Sequence, residues 1–257
     1  MCPGASPASG GAGAVPILEG RGVSVAFGGL SALRGVDVAI EEREVVGLLG
    51  PNGSGKSTLF NVLGGLLRPT SGEVWFRGQR ITGGPPWVAG RLGIGRTFQI
   101  PRPFAGLSVL DSVLVGVTFR TRHRYRRAAD RRAEAERLLG LVGLADKAGA
   151  RAAALSLGEM KRLELAVALS SRPALLLLDE LASGLSPKGR EEVVLFYARL
   201  RERGMTIFAV EHSFGLLAQV ADRMLVLDQG QIVVDGPPPA VLASPRVAAA
   251  YLGEEER

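Results

Sequence analysis

One segment limits what this chain can fold into more than any other. Gly50-Pro51-Asn52-Gly53-Ser54-Gly55-Lys56-Ser57-Thr58 satisfies the Walker A pattern G-x-x-x-x-G-K-S/T at every specified position. Glycines let a backbone curl until successive N–H groups converge on phosphate oxygens. A helix starting near Gly55 adds its positive N-terminal end. Lys56 then reaches the β- and γ-phosphates, and the Ser57 hydroxyl suits Mg2+. The alternative is a chance glycine turn, since the chain holds 35 glycines. Context argues for phosphate: residues 44–49 form an apolar run entering the loop, and residues 56–67 carry a helical pattern. That is the strand–loop–helix setting the pattern requires.

The remainder predicts an α/β fold: a parallel-sheet core, an antiparallel β part and an inserted helical part. Alternation and glycine turns over 17–27, 36–40, 73–76 and 79–81 predict a small antiparallel sheet. From 109 to 171 the period is helical, with apolar stripes at Leu138, Leu139, Leu141, Val142, Leu144 and at Leu163, Leu165, Ala166, Leu169. Strand–helix alternation then resumes with strand 175–178, helix 187–203, strand 206–210 and helix 214–221. A hairpin is predicted where 224–227 and 232–234 flank Asp228-Gln229-Gly230-Gln231. The Gly-, Ala-, Ser- and Pro-rich residues 1–16 are expected to be a disordered tail.

Two further segments bear on chemistry. Leu175 to Leu178, ending in Asp179-Glu180, predicts a buried strand that delivers one carboxylate to Mg2+ and a second to the attacking water. By itself such a strand is more often a core strand meeting solvent. His212 follows the strand at 206–210, where a neighbouring parallel strand would deliver it to the loop's edge of the sheet, though a lone histidine there is usually structural. Gln99 could reach the metal or its water through its amide oxygen. Leu155-Ser156-Leu157-Gly158-Glu159 opens a helix, and Ser156 with Glu159 fits an S-x-x-E capping box that needs no ligand. The same helix tip could instead point at a phosphate.

Taken in order, these segments resemble the ATP-binding cassette family, from about residue 17 to 253, with a helical subdomain near 105–171 and a short tail at 254–257. The stretches Phe27-Gly28-Gly29-Leu30, Arg96-Thr97-Phe98-Gln99, Glu211-His212 and Ala250-Tyr251-Leu252-Gly253-Glu254 look like the ATP-binding subunits of branched-chain amino acid importers. The resemblance implies that Phe27 stacks on adenine, and that Ser156 and Gly158 contact ATP held by a second cassette, identical or a companion. It implies that Gln99 to Phe104 lines the groove for an integral-membrane permease, with a solute-binding protein as an indirect partner. It implies hydrolysis at Glu180 and His212, with Lys56 and Gln99 contributing, and Mg2+ held by Ser57, Gln99 and Asp179. Three places depart from the family pattern: Leu157 with Glu159 in the signature, Leu181 where proline is usual, and Ser186 in place of aspartate or asparagine. A carboxylate at 159 is expected to weaken the grip on nucleotide.

Composition sets limits on partners. Apolar runs such as 174–178 and 205–210 fall far short of the ~20 residues that span a bilayer, so permease subunits must come from elsewhere, and attachment to the cytoplasmic face of the plasma membrane is expected. Residues 1–16 lack the basic start and apolar middle of a secretion signal. Cys2 is the only cysteine, which excludes an intrachain disulfide framework. The net charge is +6, with a cluster at Arg120, Arg122, Arg124, Arg126, Arg127, Arg131 and Arg132. Only Tyr125 interleaves that run, too few aromatics for a single-strand nucleic-acid binder. A nucleic-acid-associated or a regulatory cassette stands as the alternative function.

Overall fold

The computed structural model of the protein describes residues 15–98, 104, 106–121, 127–245 and 247. Gln99, the 100–103 segment, most of the N-terminal tail, Arg122, Arg124, Arg126 with the Arg120 side chain, and 248–257 lie outside the described residues.

Period-two burial builds the first sheet. Strand β1, Leu18–Phe27, alternates buried and open positions, as does β2, Leu30–Ile40. With β4, Ser71–Phe76, and β5, Gln79–Arg80, they form an antiparallel sheet ordered β2-β1-β4-β5.

The second sheet is built from strands buried along their whole length. These are β3, Val45–Leu49, β7, Leu175–Asp179, and β8, Thr206–Val210. Their apolar residues divide by parity between two cores. Val46, Leu48, Leu175, Leu177, Phe208 and Val210 face the antiparallel sheet and helix α1, Lys56–Leu63. Val45, Leu49, Leu176, Leu178, Ile207 and Ala209 face the helices on the other side. Near-continuous apolar runs are what a parallel sheet covered on both faces demands. The sheet is completed by β6, Ile94–Arg96, β9, Arg223–Asp228, and β10, Gln231–Gly236, in the order β10-β9-β3-β8-β7-β6. All its pairings are parallel except β9 with β10.

Helices α3, Val109–Thr121, α4, Ala128–Leu141, and α5, Leu157–Ser170, pack against one another between β6 and β7 in the chain. Helices α6, Pro187–Glu202, and α7, Phe214–Val220, follow β7 and β8. Short helices α2, Pro86–Leu92, and α8, Pro238–Leu242, complete the set among the described residues.

Several boundaries differ from the sequence expectation. Helix α1 stops at Leu63, not 67, because Gly64 and Gly65 follow and Gly65 turns left-handed at φ 73°. Strand β2 begins at Leu30, six positions before the expected 36, where Phe27 pairs with Leu30 across a tight turn. No helix among the described residues is long and apolar enough to cross a membrane.

Candidate functional site

Strand order puts the chemistry in one place. In the run β3-β8-β7 the C-terminal ends are level, Leu48 pairing with Val210 and Val210 with Asp179. The loop after β3, the carboxylates at the end of β7 and the histidine after β8 therefore emerge on one edge. They line a cleft of about 570 Å³ bounded by Ala32, Asn52, Gly53, Gly55, Lys56, Ser57, Thr58, Glu180 and His212.

The loop's shape depends on two glycines. Gly50 sits at φ 157°, where a Cβ would lie 2.2 Å from the Leu227 carbonyl. Gly55 sits at φ 107°, where a Cβ would meet the Ala32 carbonyl at 2.6 Å. Pro51, Asn52 and Gly53 are exposed, while Ser54 is buried with its hydroxyl unpaired among the described residues. Helix α1 opens on the cleft with no side-chain cap, so its first N–H groups have no side-chain acceptor. Buried Lys56 donates to the carbonyls of Gly50, at 2.6 Å, and Pro51, at 2.9 Å. Burial lowers its pKa, and the nearby Glu180 charge opposes that shift.

Asp179 is buried beneath the cleft. Its Oδ1 has no hydrogen-bond partner among the described residues, and its Oδ2 lies 4.0 Å from Arg96 Nη2. Burial raises its pKa against the pull of the Arg96 guanidinium. An uncapped helix start beside a lysine and an orphaned buried carboxylate oxygen fit a triphosphate with a divalent cation. Glu180 follows with a left-handed backbone, φ 48°, and its carboxylate meets His212 Nε2 at 2.7 Å. His212 is half-exposed and Glu180 nearly closed off, so the imidazole is the solvent side of the pair.

Three expected residues lie apart. Phe27 is half-exposed at the end of β1 and does not line the cleft. Ser156 and Gly158, at the N-terminus of α5, border a separate cavity of about 640 Å³ together with Leu157 and Ser186. There the capping box forms in full, Ser156 accepting from the Glu159 N–H while Glu159 takes the Ser156 N–H at 2.9 Å. Lys147 is also bonded to Glu159, and with Ser156 it holds that carboxylate's pKa down to about 2. The negative charge at 159 thus has its own counter-ion. Ser186 caps α6 by accepting from the Gly189 N–H at 3.2 Å.

Three residues that shape the site carry no role that the sequence announces. Arg96 bonds Asn61 at 2.6 Å and is sandwiched between the rings of Phe60 and Phe98. Lys161 and Glu211 are buried close behind Glu180. Lys161 left a signal of its own, lying one helical turn before Leu165 on the apolar side of its helix, while Arg96 and Glu211 stand inside stretches that carry the family resemblance without a role of their own.

A parallel sheet whose P-loop faces a carboxylate–imidazole pair defines a nucleoside-triphosphate-binding cassette of the P-loop class. The family model for the ABC transporter matches residues 33–183, and the chain belongs to that family. BraF of Pseudomonas aeruginosa, a high-affinity branched-chain amino acid transport ATP-binding protein, is 37% identical over 256 residues, covering 93% of this chain and 98% of BraF. LivG of Escherichia coli, described in the same words, is 36% identical over 251 residues with the same coverage. Among solved structures, the ADP conformation of MJ1267, an ATP-binding cassette of an ABC transporter, aligns with TM-score 0.82 at 30% identity, covering 93% of this chain and all of that one. The dimeric structure of MJ0796, a bacterial ABC transporter cassette, aligns with TM-score 0.78 at 27% identity, covering 86% and 98%.

Proposed function

We propose that this chain is the ATP-hydrolysing subunit of an importer for branched-chain amino acids or a similar small polar solute. In this reading the cassette spans 17–253, with a helical subdomain over 105–171, and acts at the cytoplasmic face of the membrane. The observation that carries it is the Glu180–His212 contact at 2.7 Å, lining the same cleft as Lys56. The names of BraF and LivG support the solute class.

The residues divide the work. The N–H groups of Gly53 to Thr58 and the Lys56 ammonium bind the phosphates of ATP. Ser57, Asp179 and Gln99 would hold Mg2+, which supplies neutralisation of phosphate charge. Glu180 orients the attacking water and takes its proton, while Lys56 and His212 stabilise charge gathering on the γ-phosphate. Phe27 stacks on adenine. Ser156 and Gly158 address nucleotide held by a second cassette, so a dimer completes each site; the dimeric form of MJ0796 supports that arrangement. Permease subunits dock near Gln99 to Phe104, and a solute-binding protein delivers cargo to them. The Lys147 partner of Glu159 favours an active cassette over a regulatory one, because the carboxylate is already compensated.

The test is solute uptake by the source cell. Deleting the gene should abolish ATP-dependent uptake of radiolabelled leucine, restored by the parent chain and not by Glu180→Gln. Uptake untouched by the deletion would rule out this solute class.

A further inference from the structure

Glu180 holds a left-handed backbone, φ 48°, which is strained for a residue with a side chain. Such a conformation persists only where its surroundings over-determine it. Its N–H donates to the Val210 carbonyl at 2.9 Å, and its own carbonyl accepts from Lys161 Nζ at 2.8 Å. That ammonium, on α5 and 5% exposed, also donates to the carbonyls of Leu181 at 3.3 Å and Ser183 at 2.5 Å. An ammonium has three protons, and here three carbonyls of one turn receive them.

The other side of the same turn meets a buried carboxylate. Glu211, 2% exposed, accepts from the Ala182 N–H at 3.2 Å and the Tyr197 hydroxyl at 3.4 Å. Carbonyls pulled one way and an amide the other fix the turn 180–183 against rotation. Burying two ionisable groups is costly, and a merely structural site would be served as well by apolar packing.

We propose that Lys161 and Glu211 are positioning residues: together they clamp the 180–183 turn so that the Glu180 carboxylate stays on His212, and Lys161 ties that turn to α5. Resting on the function proposed above, this clamp joins the helix whose tip addresses the second cassette's nucleotide to the water-activating carboxylate of its own site. Neither residue touches nucleotide, and both act through Glu180.

The experiment compares the full-length parent, Lys161→Met and Glu211→Gln for steady-state turnover with ATP and Mg2+, equilibrium ATP affinity, and amide hydrogen exchange. Turnover should fall by about 10- to 100-fold in Lys161→Met, and in the same direction in Glu211→Gln, with ATP affinity within about twofold of the parent. Exchange over 180–183 should rise about tenfold while the 50–58 loop keeps its protection. The clamp is overturned if exchange at 180–183 is unchanged, or if ATP affinity falls in step with turnover. Should Lys161→Met fail to fold, Glu211→Gln decides both readouts. A parent without ATPase activity would sink the functional reading alone, since the exchange measurement judges the clamp independently.

Discussion

Lys56 turns its ammonium back on its own loop, donating to the Gly50 and Pro51 carbonyls at 2.6 and 2.9 Å. In Glu211, burial is the first cause that lifts the pKa to about 7 from the ordinary 4.5, with the Glu180 charge adding, against hydrogen bonds from the turn and the Lys161 charge. A carboxyl raised in the folded state favours folding while protonated, and that contribution is lost as pH climbs from about 4.5 to about 7. Loss on the order of 3 kcal/mol is the upper range for such a shift. Denaturant unfolding at pH 5 and pH 8 should therefore show the parent losing stability relative to Glu211→Gln at the higher pH; an equal gap at both values would refute it. The P-loop, Asp179, Glu180 and His212 were legible in the sequence because a motif or a strand end announces each. Arg96 and Glu211 were not, since a buried charge is recognised by what surrounds it.

At the scale of elements, helix contact sets tight tolerances. Gly116 in α3 lies so close to α5 that an added Cβ would stand 1.8 Å from the Ser170 hydroxyl, itself bonded to the Val167 carbonyl at 2.6 Å. Gly116→Ala should cost about 1–3 kcal/mol in chemical denaturation. Adding Ser170→Ala should recover part of that loss, because the obstructing atom is gone. A fully additive double variant would show that the helices do not meet there. The long strands and helices were visible from periodicity: β8 lies at 206–210 as expected, and α6 ends within one residue of the expected 203. Strand β6, with three residues, and helix α8, with five, are too short for a period to register, and α2 buries only Ala89, so it carries no apolar stripe. Their places come from tertiary contact, as where β6 pairs with β7 along Ile94, Gly95 and Arg96.

At the scale of the molecule, one arrangement does most of the work: a parallel sheet brings three loop ends to a common edge, and two cores on its faces hold that edge rigid. The α5 tip, carrying Ser156 and Gly158, opens on a different cavity from the one holding Lys56 and Glu180. One copy of the fold thus presents a phosphate loop and a helix tip at separate places, which suits an active site completed by a second cassette. The most direct measurement is turnover of ATP with Mg2+ by the full chain, paired with equilibrium ATP binding, in parent and Glu180→Gln. The account predicts ATP affinity within about twofold of the parent and turnover lowered at least about a hundredfold, the loss expected when a water-activating base is removed. Hydrolysis by Glu180→Gln at the parent rate would contradict it.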